Sequence, residues 1–312
     1  MKVANFSSQG LGDGLIALML SYNLYLNGYE VDTFHNSLDQ MQSYFPNLPI
    51  KKYPRLDDIE KIIKNYDQIF ISYNEGSTFI QKLIKEGKKT KASKVFVLNP
   101  CPSRKVGSQP FYKDAFFDPN LCMVENIENF SKNILKLKKI SKKIDLSIPK
   151  NLTFKKFSRR IIIHPSSAKK SKNYSIDKYL QLAKVLKDKN FEPVFVISEK
   201  ERAEYKMIKD LGFNLKAFDN LKDLTGFVYE SSFMIGNDSG IGHLASLLGL
   251  STITIFRNHR SAKLWRPGWS QNKIVFPNKF IPNLSLYRLR DKHWNAFISF
   301  GKIANYFLLE LG

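Results

Sequence analysis

Short apolar runs alternate with amphipathic stretches from the first residues of the chain. "KVANF" reads as a strand, Leu11 to Leu26 as a helix and "YEVDTF" as the next strand, with "IKKY", "QIFISY" and "KVFVL" as further strands. Strands that alternate with helices imply parallel βαβ units. From Asn99 to Leu121 the pattern stops: four prolines and no period mark a long loop, and loops of that length in compact domains commonly carry function. A helix is expected from Glu125 to Lys139. The basic stretch "ISKKIDLSIPKNLTFKKFSRR", broken by Pro149, reads as a linker between domains.

Alternation then restarts. "RIIIH", "EPVFVIS", "NLKAF", "FMIGN" and "STITIF" read as strands, with helices at Ser175 to Lys189, Glu201 to Leu211, Leu221 to Glu230 and Gly240 to Leu248, and a last amphipathic helix from about Trp294 to Leu309. The expected architecture is α/β, with two Rossmann-like domains spanning 1–145 and 159–290. Residues 291–312 form a C-terminal helix able to pack back across them. Two parallel sheets would point their strand ends at a central cleft, where open α/β sheets bind ligands.

Composition narrows the partners. Of 312 residues 43% are hydrophobic and 13% aromatic, enough for real cores and too much for a disordered chain. Lys and Arg number 49 against 28 Asp and Glu, a formal charge of +21 that draws anionic partners such as nucleic acid, acidic lipid or phosphorylated sugar. Runs such as "KLKKISKK" and "AKKSKN" spread that charge, so a plain solvated basic surface explains it as well. Cys101 and Cys122 lie too far apart for a C-x-x-C redox or zinc motif and read as reduced cytoplasmic thiols. The longest apolar run near the start, Leu15 to Leu20, is too short for a signal peptide or a spanning helix.

Three clusters carry candidate chemistry, each just after a strand. In "FMIGNDSGIGHLASLLGL" a strand turns into a helix at Asp238, Ser239 and Gly240. Ser239 suits an N-cap, and a helix start with unpaired N–H groups is a ready anion site. The spacing is wrong for a nucleophilic serine, because Asn237 and Ile241 stand where a nucleophile elbow needs glycine. His243 falls within the first turns of that helix. It can hydrogen-bond a phosphate or simply pack in the wall.

The second cluster is "SSQGLGDGL", in which Gly10, Gly12 and Gly14 permit a tight turn into the helix without matching the dinucleotide motif G-x-G-x-x-G. Asp13 is its informative residue: a carboxylate at a helix start stays in the form that accepts a proton. It can equally be an ordinary helix-start acid. The third cluster is "IIIHPSSAKKSKNYS", where Lys169, Lys170 and Lys172 follow a strand ending at His164 and Pro165. One ammonium beside a phosphate site neutralises leaving-group charge, while three solvated lysines need no function.

Taken together, the clusters resemble glycosyltransferase family 9, the bacterial lipopolysaccharide heptosyltransferases of GT-B fold, over nearly the whole chain. "GLGDGL" looks like the family's Gly-Asp loop, which implies Asp13 as catalytic base with Gly12 and Gly14 shaping the loop. "HPSSAKKSKNYS" is similar to a segment ending in Lys-x-Trp-Pro, which implies that Lys172 meets the donor phosphate. "NDSGIGHLA" resembles the signature Asp-(Ser/Thr)-Gly-x-x-His-x-Ala, implying sugar contact for Asp238, diphosphate contact for Ser239 and Gly240, and support from His243. Two departures stand out. Tyr174 and Ser175 replace Trp-Pro, and "RNHR" replaces a Gly-Pro-Thr-like turn after "STITIF", which leaves the donor's identity open.

The implied reaction is an inverting transfer without metal or other cofactor, from a nucleotide sugar, ADP-heptose by resemblance, to an anionic glycolipid or polysaccharide of the lipopolysaccharide core and lipid A type. Glu201 is a candidate for the ribose, and Arg55, Arg104 and Lys105 for the acceptor's phosphates. The basic charge would hold the protein on the anionic inner face of the bacterial inner membrane. Alternatives are a nucleotide-sugar epimerase or hydrolase of the same fold, or a non-catalytic polyanion binder; no nucleic-acid motif is visible.

Overall fold

In the computed structural model, which describes residues 1–99, 117–278, 280–281 and 289–310, the chain divides into units Met1–Ile148 and Pro149–Gly312. The first unit holds a five-stranded sheet of β1 (Lys2–Phe6), β2 (Glu30–Phe34), β3 (Ile50–Lys51), β4 (Gln68–Ser72) and β5 (Val95–Leu98) in the order β3-β2-β1-β4-β5. Every pairing is parallel. Such a sheet needs cover on both faces. One face is packed by α2 (Ile59–Asn65) and α3 (Thr78–Lys91), where Phe6, Phe34, Ile71, Ile80 and Leu83 share a core and the Phe6 and Phe34 rings stack with centroids 4.3 Å apart. α1 (Leu11–Leu26) covers the other face, where Asn5 of β1 donates to the Ala17 carbonyl at 2.8 Å, and its Leu15, Leu18, Met19 and Leu20 are fully buried. At about 1.5–3 kcal/mol for each such side chain, α1 is firmly anchored, and so is the residue in its first turn.

The expected helix from Glu125 to Lys139 is shorter. It runs as α4 (Met123–Asn129), widens into one π turn over Phe130–Ile134 and stops, with Lys136 at φ 54°. The cause is Asn27, which ends α1: its Oδ1 accepts from the Lys138 and Lys139 amides at 2.9 and 3.1 Å and its Nδ2 donates to the Lys139 carbonyl at 2.7 Å. Those bonds hold the basic run against α1 in a non-helical form. Cys122 is buried at the start of α4, and Cys101 lies outside the described residues.

The second unit has six parallel strands: β6 (Phe157–His164), β7 (Glu192–Ser198), β8 (Asn214–Phe218), β9 (Ser231–Asn237), β10 (Ser251–Ile255) and β11 (Asn272–Val275), ordered β11-β10-β9-β6-β7-β8. Around them run α5 (Ile176–Asp188), α6 (Lys206–Asp210), α7 (Leu221–Tyr229), α8 (Gly240–Leu247), α9 (His259–Trp265), α10 (Leu289–Lys292) and α11 (Phe300–Leu309). Ile161, Phe195, Phe233 and Ile253 pack against Tyr179 and Leu182 of α5 and Ile303 and Phe307 of α11. The C-terminal helix thus lies in this unit's own core. It is also interrupted: Trp294–Phe297 is a 3₁₀ turn, Ile298 is extended, and the Ser299 side chain caps α11 by accepting from the Gly301 amide. The expected helix from Glu201 is shorter: a turn, Glu199–Glu201, headed by a Ser198–Glu201 capping box, is followed by α6. Among the described residues no helix is long and apolar enough to cross a membrane.

In each sheet the order reverses beside the first strand of the unit: β1 pairs with β2 and β4, and β6 pairs with β7 and β9. Loops leaving such switch points splay apart and open room for ligands. The three clusters singled out by the sequence follow β1, β6 and β9.

Candidate active site

In the first unit, residues 7–10 lead from β1 into α1. Gly10 is the N-cap, extended at φ −72° and ψ 139° without a side-chain cap, and Asp13 lies in the first turn. A Cβ at Gly10 would collide with Asp13 Oδ2, so the glycine lets the carboxylate lie back over the helix start. There the positive end of α1 favours its charge. Gly12 is buried within α1, and Gly14 meets the His35 ring so closely that an added Cβ would stand 2.8 Å from His35 Cδ2.

The frame around this loop comes from residues the sequence did not single out. His35 is fully buried; its Nδ1 accepts from the Ser37 and Leu38 amides at 3.1 and 3.2 Å, and its Nε2 donates to the Gly10 carbonyl at 3.2 Å. Burial holds its pKa below the usual histidine value. Gln9 Oε1 accepts from the Asn36 amide, Asn36 Oδ1 accepts from the Tyr53 amide, and the Tyr53 hydroxyl donates to the Ser7 carbonyl. Burial pushes the Tyr53 hydroxyl up to about 12, with Gln9 opposing and the Asp13 charge adding to the rise, so it remains a donor. The ends of β1, β2 and β3 are thereby tied together. Arg55 is exposed at the head of the turn Leu56–Asp58. Arg104 and Lys105 lie outside the described residues.

In the second unit the structure separates the three lysines. Lys169 is exposed, Lys170 pairs with Glu204 at 2.9 Å, and Lys172 turns inward with its Nζ 2.7 Å from Asp238 Oδ2. Lys172 is 39% exposed and Asp238 11%, so the pair is open to a ligand from the lysine side. Asp238 directly follows β9, and its amide donates to Ile255 of β10. Beside it, the fully buried Asn237 accepts from the Tyr174 amide and the Tyr179 hydroxyl through Oδ1, and donates to the Pro165 carbonyl through Nδ2 at 2.6 Å. One amide side chain thus fastens the Lys172 loop to the end of β9. From the other side the Trp294 indole donates to the Ser171 carbonyl, and Asn295 bonds the Asn173 carbonyl and the Ser175 amide.

Ser239 occupies the N-cap position of α8 at φ −150°, as expected, yet its side chain makes no capping bond. Its Oγ is buried and, among the described residues, has no hydrogen-bond partner; His243 Nδ1 shares that condition. Orphaned buried polar atoms cost about 1–3 kcal/mol each and call for an explanation. Burial pushes His243 down to about 4, against the Asp238 charge and a hydrogen bond to the Trp265 backbone that both raise it. The ring is neutral at pH 7 and brings no positive charge to a phosphate. Glu201 is engaged locally: its Oε2 accepts from the Ser198 amide and hydroxyl at 3.0 and 2.6 Å. Burial raises its pKa, but these bonds and one from Ser166 win and hold it below the usual carboxylate range.

Lys172 and Asp238 form one wall of a cavity of about 300 Å³, completed by Ser171, Arg257, Asn258, Ser261 and Asp291. Arg257 and Asn258 belong to the unusual "RNHR" turn after β10, and that departure was the sequence signal for this side of the site. Among the described residues no group of three or more His, Cys, Asp or Glu is placed to hold a metal.

The sequence profile of glycosyltransferase family 9 (heptosyltransferase) matches residues 109–286, more than half of the chain. The chain belongs to glycosyltransferase family 9. Among family 9 relatives, lipopolysaccharide heptosyltransferase 1 of Campylobacter coli is 27% identical over 192 residues, 58% of this chain and 52% of its own length. The lipopolysaccharide core heptosyltransferase OpsX of Haemophilus influenzae is 27% identical over 111 residues, 33% of this chain and 32% of its own. The match therefore spans 32% and 52% of the length of these curated relatives. The fold extends further: the E. coli ADP-heptose lps heptosyltransferase II superposes with a TM-score of 0.66 at 16% identity, covering 99% of each chain. The two parallel-sheet α/β units expected from the hydrophobic pattern are those of a family 9 glycosyltransferase.

Proposed function

We propose that this glycosyltransferase moves a heptose from ADP-heptose onto a hydroxyl of a lipopolysaccharide-core acceptor, with inversion and without a metal. The observation that carries the reading is the Lys172–Asp238 pair beside a helix start whose Ser239 Oγ and His243 Nδ1 are buried and, among the described residues, without partners. A charged, oxygen-rich ligand supplies those partners.

In this reading the acceptor hydroxyl gives its proton to Asp13 as its oxygen attacks the anomeric carbon of the donor. The bond from that carbon to the diphosphate oxygen breaks, and ADP leaves with the electron pair. Lys172 and the amides at the start of α8 receive the charge that develops. Asp238 meets the sugar and Glu201 lies toward the ribose. Arg55, with Arg104 and Lys105, receives the acceptor's phosphates. The formal charge of +21 suits an anionic acceptor and peripheral attachment to an anionic cytoplasmic membrane face.

ADP release from ADP-heptose, measured with and without a deacylated lipopolysaccharide core, tests the reading. Transfer predicts release that depends on acceptor. Equal release without acceptor would make the protein a nucleotide-sugar hydrolase, and salt-sensitive RNA binding with no response to ADP-heptose would make it a polyanion binder.

A further inference from the structure

The cavity beside Lys172 and Asp238 has a composition that says what belongs in it. Its lining residues are Lys172, Arg257, Asp238, Asp291, Asn258, Ser171 and Ser261. Among the described residues two cations balance two carboxylates, the remaining three are neutral hydrogen-bonding residues, and none is aliphatic or aromatic. A nucleobase needs an apolar face to lie on, because small-molecule sites bind flat rings largely through hydrophobic and aromatic walls. A net anion would leave two carboxylates facing it. A neutral ligand covered with hydroxyls satisfies every group present, since carboxylates accept, guanidinium and ammonium donate, and amide and hydroxyl do both. The volume of about 300 Å³ is at the small end of such sites, about 300–1,000 Å³, and suits one sugar ring.

Arg257 gives this cavity its directional side. Its Nε donates to the Asp291 backbone carbonyl at 3.1 Å, which among the described residues is its one hydrogen bond. That bond fixes the guanidinium, and because the group is planar the two terminal nitrogens are held as a fork with donors to spare. Asn258 is fixed as well, its Oδ1 accepting from the Ser261 amide at the start of α9. Arg257 follows β10 directly, and Asp238 follows the neighbouring β9, so two adjacent strands set the spacing between them.

We propose that Arg257 and the Asp291 carboxylate form the specificity side of a sugar subsite, reading hydroxyl groups of a neutral donor sugar whose diphosphate lies on Lys172 and α8. The inference rests on the donor reading given above and adds to it the residues that choose the sugar. Arg257 supplies paired donors and Asp291 an acceptor, alongside Asp238 in the same cavity wall.

Titration calorimetry of ADP and of ADP-heptose with the full chain, as wild type, Arg257→Ala and Asp291→Asn, tests it. Arg257→Ala should weaken ADP-heptose binding at least tenfold and leave ADP within about twofold; Asp291→Asn should act in the same direction. Intact ADP affinity doubles as the folding control. Unchanged ADP-heptose affinity in both variants overturns the subsite. An equal loss for ADP and ADP-heptose in a variant with a normal melting temperature makes Arg257 a phosphate contact and also overturns it. A wild type that binds neither ligand fails the donor reading itself, whereas a wild type that binds ADP and ADP-heptose equally tightly refutes the sugar subsite alone.

Discussion

His35 Nε2 lies 3.2 Å from the carbonyl oxygen of Gly10. Because His35 Nδ1 accepts from two backbone amides, its proton must sit on Nε2, and the ring ties the end of β2 to the residue that starts the helix bearing Asp13. In the proposed mechanism His35 is a positioning residue. Replacing it with alanine should lower kcat about tenfold or more, in line with the sensitivity of catalysis to small misplacements, while the KM for ADP-heptose changes less than twofold. Equal effects on both, or on neither, would remove the link to Asp13.

Asp13 and Lys172 should fail in different ways. Asp13→Ala removes the proposed proton acceptor and should reduce turnover by about 10²–10⁴-fold, with ADP affinity intact. Lys172→Ala should weaken ADP binding, since it deletes the ammonium that faces Asp238 at 2.7 Å. Steady-state kinetics and calorimetry on both variants separate the roles; ADP affinity untouched by Lys172→Ala would take the diphosphate away from this loop.

Acid should destabilise the second unit through His243. Its pKa falls from the usual 6.5 to about 4 through burial, so the unfolded chain takes up a proton near pH 6.5 that the folded protein refuses until about pH 4. Stability from this group is therefore present above pH 6.5 and drains away as pH falls toward 4. Burial lowers His164 in the same direction. Urea midpoints at pH 7 and 4.5 should differ by about 2 kcal/mol more in the wild type than in His243→Gln. An identical difference in both proteins would contradict the neutral, buried ring.

Asn237→Ala should cost about 2–4 kcal/mol, because it strands the Tyr174 amide, the Tyr179 hydroxyl and the Pro165 carbonyl. The loss is read from the urea midpoint, and a change under 1 kcal/mol would mean that water or a shifted side chain replaces those bonds.

The sequence disclosed most strands and α1 almost to the residue, since a buried parallel sheet writes itself as short apolar runs. Asp13, Lys172 and Asp238 were visible because each follows such a run within a short motif. Several helices were less legible. α3 carries Phe79, Ile80, Leu83 and Ile84 at helical spacing within a lysine-rich segment, and α2 and α9 are only seven residues long. The end of α4 was hidden for a different reason: Asn27, which intercepts it, lies 111 residues away in sequence. His35 and Asn237 act through three hydrogen bonds each and Arg257 through one, all to residues distant or irregularly spaced in sequence, and one polar residue at the end of a strand has no period to announce it.

The contacts that shape the Lys172 loop carry a consequence for the order of synthesis. The Trp294 indole bonds Ser171 across 123 positions, and Asn295 bonds Ser175 across 120. A chain emerging from the ribosome can build the β1–β5 sheet while residues 294 and 295 are still unmade, because domains fold as units during translation. The Lys172 loop must wait for them. Throughout that interval the nascent protein carries Asp13 without a finished Lys172 loop, so any ligand binding that needs this loop is gained late, as one of the last events of its biogenesis.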